Sequence, residues 1–116
     1  MAANPDFTRV ALEAVVLETI ASGKSYGYEI ARAIQSASGG EILAQEGTLY
    51  PALHRLERRG LLRASWGVSD EGRKRKHYQL TSSGKKHLAA IRDEWRSFSQ
   101  VINRILGLAR EPAVGV

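Results

Sequence analysis

The sequence predicts a mainly α-helical fold carrying one small β-hairpin. Apolar residues recur at helical spacing in four separate stretches of the 116-residue chain. One stretch, residues 61–80, changes to alternation of apolar and polar side chains, the period of a strand. No internal repeat or low-complexity segment interrupts the pattern, and the length suits one domain with a modest core.

Residues 7–22 are apolar nearly all round, as in a helix buried on more than one side, with Asp6 or Thr8 available as its cap. Gly23-Lys24-Ser25 ends it. Tyr26, Ile30, Ala33, Ile34 and Ala37 then form one stripe of a second helix over 26–38, with Ser25 as the expected N-cap and Gly39-Gly40 as the stop. After a short connection, Leu49, Leu53 and Leu56 make the apolar back of a third helix. Thr48 is its expected cap, which puts Pro51 in the first turn, where proline is tolerated, and Gly60 closes it. Tyr50, His54, Arg55 and Arg58 fall on its other faces, so the front is polar and basic. Two helices joined by a Gly-containing connection, the second basic outside, fit a helix-turn-helix.

Leu62, Ala64, Trp66 and Val68 alternate with Arg63, Ser65 and Gly67, which reads as a half-buried strand. Residues 76–80 alternate again, with Tyr78 and Leu80 on one face. Between them a turn at Ser69-Asp70-Glu71-Gly72 leads into a basic run. A hairpin with a charged tip after a helix-turn-helix is a wing. Residues 82–108 read as one long helix capped by Thr81 or Ser82. Its Leu88, Ile91, Trp95, Phe98, Ile102 and Ile105 are spaced 3, 4, 3, 4 and 3 residues apart, a coiled-coil seam. Such a helix runs about 40 Å, too far for so small a domain to cover, so a second copy is the expected partner. Cover by the first helix and the base of the wing is the alternative. The expected architecture is a winged helix-turn-helix over residues 1–81, a C-terminal dimerisation helix over 82–109 and a frayed tail over 110–116.

The chain carries 17 Lys and Arg against 12 Asp and Glu, a net charge of +5. Residues 54–77 hold eight basic and three acidic side chains, and residues 1–53 are net acidic. A basic patch on an otherwise balanced chain is the footprint of a polyanion binder, and a solvated charged face is the plainer alternative. The absence of cysteine excludes disulfides, thiolate zinc sites and cysteine nucleophiles, and fits a reducing cytoplasm. No apolar run approaches the roughly 20 residues that span a bilayer, and residues 1–6 lack the basic region of a secretory signal. His54, His77 and His87 show no ligand spacing, so no metal site is expected. Neither a nucleophile–base pair nor a Gly-rich phosphate loop is visible, so neither an enzyme nor a cofactor is expected.

Double-stranded DNA is the polyanion that this architecture suits. Tyr50 projects from the start of the third helix toward bases or phosphates, or packs against the wing. Thr48 caps or touches phosphate. His54 and Arg55 lie further along the outer face. Arg73, Lys74, Arg75 and Lys76 reach phosphates beside the helix, unless the wing is only a structural cap. Arg58 and Arg59 read as surface charges near the helix end, and Tyr26 and Tyr28 as core and interface, with a phosphate within reach of either hydroxyl as the alternative. A winged-helix module that binds protein instead of DNA is the competing function. Two-fold symmetry would bring Trp95 near its own copy, where a pair of indoles with Phe98 beside them fills the dimer core or leaves a slot for a flat aromatic ligand.

Several linked motifs make the sequence recognisable. Tyr26-Gly27-Tyr28-Glu29-Ile30, Gly47-Thr48-Leu49-Tyr50-Pro51-Ala52-Leu53 with Arg55-Leu56-Glu57 and Gly60-Leu61, and Gly72-Arg73-Lys74-Arg75-Lys76-His77-Tyr78-Gln79-Leu80-Thr81 with Gly84 follow one another in order. Over about residues 10–90 the chain resembles the PadR family of bacterial transcriptional regulators, in its short branch with a single C-terminal helix. The resemblance implies a homodimeric winged helix that binds an inverted-repeat operator, usually as a repressor. It also implies release by a small molecule in some members, often an aromatic one. Members often carry Ser-Pro before the Gly-Thr-Leu-Tyr-Pro motif. This sequence has Gln45-Glu46 there, a change at the cap of the recognition helix that adds a negative charge.

Overall fold

The computed structural model describes residues 5–42 and 46–108. Four helices and one hairpin follow in the order α1 (Pro5–Ala21), α2 (Gly27–Ala37), α3 (Glu46–Arg58), β1 (Leu62–Val68), β2 (Lys74–Leu80) and α4 (Ser82–Ile105). Gln45 and the expected tail over 110–116 lie outside the described residues. No helix among the described residues is long and apolar enough to cross a membrane.

The core is one cluster in which Leu12, Val16, Leu17 and Ile20 of α1 meet Ile30 and Ile34 of α2 and Leu49, Leu53 and Leu56 of α3. The stripe expected on α3 is therefore its buried back, and Leu53 and Leu56 have no exposed surface. Two termini differ from the sequence expectation. Helix α3 starts at Glu46, so Thr48 lies within its first turn instead of capping it, and Pro51 falls in the second turn. Pro51 leaves the carbonyl of Gly47 without its helical donor, and both residues are exposed, so solvent can serve that carbonyl. Ser25 does not cap α2 either. The N-cap is Tyr26, which makes no side-chain cap bond, because Ser25 is drawn into the wing. Its carbonyl accepts from the Tyr78 N–H at 2.8 Å, and its hydroxyl shares a 2.9 Å hydrogen bond with His77 Nδ1.

The hairpin pairs Leu62 with Leu80 through to Val68 with Lys74. An isolated bridge between Tyr26 and His77 covers part of its second edge. Strand β1 is half-buried only at its base. Leu62 is 2% exposed, but Trp66 and Val68 are 69% and 70% exposed, because the hairpin runs out past the helices that cover its root.

Helix α3 ends in a Schellman turn. Gly60 sits at φ 76°, and the N–H groups of Gly60 and Leu61 bond back to Glu57 and Leu56. Gly107 ends α4 in the same way, at φ 73°, with the Leu108 N–H bonded to the Asn103 carbonyl. At its other end, α4 is capped by Thr81, whose hydroxyl accepts from the Gly84 N–H at 3.0 Å and donates to the Gly60 carbonyl at 2.6 Å.

The seam expected on α4 divides in two. Leu88 is buried in the core and Ile91 packs against it, so the protomer itself covers this end. Further along, Trp95, Phe98 and Ile105 are 41%, 61% and 73% exposed, with Ile102 half-buried among them.

Candidate nucleic-acid interface

On α3, residues four apart share a face, and two basic rows result. Arg55 and Arg59 turn toward α1, where both bind Glu13: Arg55 Nε at 3.2 Å and Arg59 Nη1 at 2.9 Å from its two carboxylate oxygens. Tyr50, His54 and Arg58 form the other row, and all three are exposed. Arg55, expected on the outer face, is thus engaged within the protomer. Arg58, expected only as a surface charge, completes the free row, and the 50–54–58 spacing was the signal that could have placed it there. Thr48 is exposed in the first turn.

Tyr50 lies across the start of α2. A Cβ at Gly27 would stand 2.7 Å from the Tyr50 hydroxyl and ring, so the absence of a side chain at 27 is what lets this ring settle there. The ring keeps 45% of its surface exposed. It therefore packs on α2 while still facing outward.

The basic run of the wing does not act as one patch. Strand β2 begins at Lys74, earlier than the alternation suggested, so Lys74, Arg75 and Lys76 point to alternate faces. Lys76 faces α3 and bonds Glu57 at 3.1 Å. Arg75 faces the other way and lies over the Tyr26 ring, 4.1 Å from its centroid. The same ring meets His77 edge-on at 5.7 Å. Two of the four cations thus fasten the wing, one to α3 and one to α2. Arg73 and Lys74 remain exposed near the tip. The tip itself is tight: Ser69 N–H donates to the Arg73 carbonyl at 2.8 Å, and the Ser69 hydroxyl accepts from Arg73 N–H at 3.1 Å.

The start of α2, Tyr50 and His54 of α3, and the wing enclose an open groove of about 810 Å³, whose lining also includes Trp66, Glu71, Arg73 and Lys74. Trp66 was read from the sequence only as a strand residue with a buried face. Its place in this groove depends on the wing's reach beyond the helices, which alternation does not report. Among the described residues no group of His, Asp or Glu side chains is placed to hold a metal ion.

The hydrogen bond to Glu57 raises the pKa of Lys76, and burial raises that of Tyr78. Both shifts have the same sign for stability. A raised folded pKa leaves the contribution intact below the ordinary values, 10.5 for Lys76 and 10.0 for Tyr78, and removes it as pH climbs through the folded values. Thermal midpoints measured from neutral pH upward should therefore be unaffected by this pair until about pH 10 and fall above it. A Lys76→Gln variant should show a shallower alkaline fall. An equal fall in both proteins would remove Lys76 from the account.

Two core-packed helices, the second offering a polar and basic row beside a cationic hairpin, define a winged helix-turn-helix of the kind that reads DNA. A model of the Transcriptional regulator PadR-like family matches residues 16–90. The chain belongs to that family, and its role is DNA-binding transcriptional regulation, not catalysis. It is 34% identical to a transcriptional regulator from Mycobacterium tuberculosis over 102 residues, 88% of this chain and 89% of the relative. Among solved structures, it matches a transcriptional regulator from Clostridium thermocellum with a TM-score of 0.77 and 31% identity, covering 85% of this chain and 96% of that one. It also matches a PadR family transcription regulator from Clostridium difficile with a TM-score of 0.71 and 35% identity, covering 82% of this chain and 97% of that one.

Proposed function

We propose that the protein is a homodimeric repressor that binds an inverted-repeat operator in the cytoplasm, with α3 in the major groove and the wing beside it. The observation that carries this reading is one groove lined both by Tyr50 and His54 of α3 and by the exposed Arg73 and Lys74 of the wing. In this reading Tyr50, His54 and Arg58 face bases and nearby phosphates, and Thr48 lies close to the backbone at the helix start. Arg73 and Lys74 neutralise phosphates, while Arg75 and Lys76 hold the wing at its angle. Arg55 reaches DNA only by leaving Glu13. The uncovered end of α4 supports the dimer. Trp95 and Phe98 on that face form the reading's candidate slot for a flat aromatic effector.

Sequencing the genomic fragments that the purified protein retains tests the operator. They should share an inverted repeat whose half-sites lie about one helical turn apart, roughly 34–36 Å. Replacing Arg73 and Lys74 together by Ala should lower the slope of log affinity against log salt by about two per protomer, about four for the dimer. An unchanged slope and affinity would reject the wing assignment. Binding that ignores salt altogether would favour a winged-helix module for protein partners.

A further inference from the structure

Trp66 lies outside the buried core. It is 69% exposed, on a hairpin whose root is buried. By strand register it shares a face with Val68, Lys74 and Lys76, since directly paired residues point the same way: Trp66 opposite Lys76, Val68 opposite Lys74. Trp66, Lys74 and Lys76 of that face line the groove together with Tyr50 and His54 of α3. With α3 in a major groove and the wing in the adjoining minor groove, one sugar–phosphate strand separates the two and runs along the groove between them. Such a strand alternates an anionic phosphate with the apolar face of a deoxyribose. The wing sets the same two chemistries side by side, apolar Trp66 and Val68 on β1 beside Lys74 at the start of β2 and Arg73 next to it.

We infer that Trp66 packs its indole on the deoxyribose of the backbone strand running through this groove, with its Nε1–H free to donate to the neighbouring phosphate. The inference rests on the DNA-binding reading above and adds to it a sequence-independent apolar contact. Such a contact differs from a lysine in one measurable way. It strengthens binding without displacing a counterion, so its loss lowers affinity and leaves the salt slope alone.

The test uses the full chain labelled with 5-fluorotryptophan. Its two tryptophans give two fluorine resonances, and the one missing from Trp66→Phe belongs to Trp66. On saturation with mixed-sequence duplex DNA at low salt, the Trp66 resonance should shift and lose its solvent-isotope effect. Trp66→Ala should bind that duplex about tenfold more weakly with an unchanged salt slope, and Trp66→Phe should recover most of the loss. A Trp66 resonance that stays put at saturation, or Trp66→Ala binding as tightly as wild type, overturns the inference while DNA binding stands. A Trp66 already shielded in the free protein overturns it too, by showing that a second copy covers the indole. Absence of any duplex binding by the wild type rejects the DNA reading itself, and this inference with it.

Discussion

Replacing Gly84 by alanine is expected to destabilise the fold by about 3 kcal/mol, at the upper end of what overpacking usually costs. Gly84 is buried in the first turn of α4. A Cβ there would collide with the carbonyl oxygen of Leu61 and stand 3.1 Å from its carbon and 3.3 Å from Leu80 Cδ2. Leu61 cannot step aside. Its N–H is bonded to Leu56 in the turn that ends α3, its carbonyl accepts from the Thr81 N–H at 3.1 Å, and its side chain is buried. The obstacle is thus backbone held from both ends, so relief requires the start of α4 to lift, which strains the Thr81 cap as well. Urea unfolding measures the effect, with Ser83→Ala, an exposed neighbour, as the control. A Gly84→Ala midpoint matching that control would show that α4 accommodates the methyl group.

Phe98→Asp is expected to turn a dimer into a monomer, raising the dissociation constant by roughly a hundredfold. Phe98 is 61% exposed in the protomer, so the change leaves the core intact, and far-ultraviolet circular dichroism should be unaltered. In a symmetric pair of α4 helices, each copy would bury a carboxylate against the other's apolar face, and the loss would count twice. Light scattering at micromolar concentration reads the result. A wild-type protein already monomeric under those conditions would remove the dimer from the proposed function. Operator binding by Phe98→Asp should weaken along with assembly, because one recognition helix alone holds half a site.

What the sequence made legible was local. Leu49, Leu53 and Leu56 announced the buried back of α3 because three residues within two turns suffice to define a face. The 50–54–58 row was equally within reach. The pairing that turned Arg55 inward was not, since Glu13 lies 42 positions away and nothing in either segment marks the other. Alternation in β1 told which side chains share a face but not what covers them, so Trp66 and Val68 read as half-buried when it is Leu62 and Ala64 that meet the core. The basic run misplaced the start of β2 for a related reason: four cations in a row carry no apolar alternation, and only the backbone pairing shows that they fall on both faces. The stripe of α4 could be read from its spacing, yet spacing alone did not reveal that Leu88 lies in the protomer's own core and that Ile91 packs against it.

The joint around Leu61 and Thr81 has a mechanical meaning. Gly60 and Leu61 finish α3, and their two carbonyls are both held by Thr81, the residue that starts α4. In the proposed function, these bonds would leave no slack between the helix that reads DNA and the helix that assembles the dimer. In a dimer, the crossing angle of the two α4 helices is therefore geared directly to the distance between the two copies of α3. A small twist at the far end of α4, near Trp95 and Phe98, would be delivered to the DNA-facing end as a change of span, as in a pair of pliers.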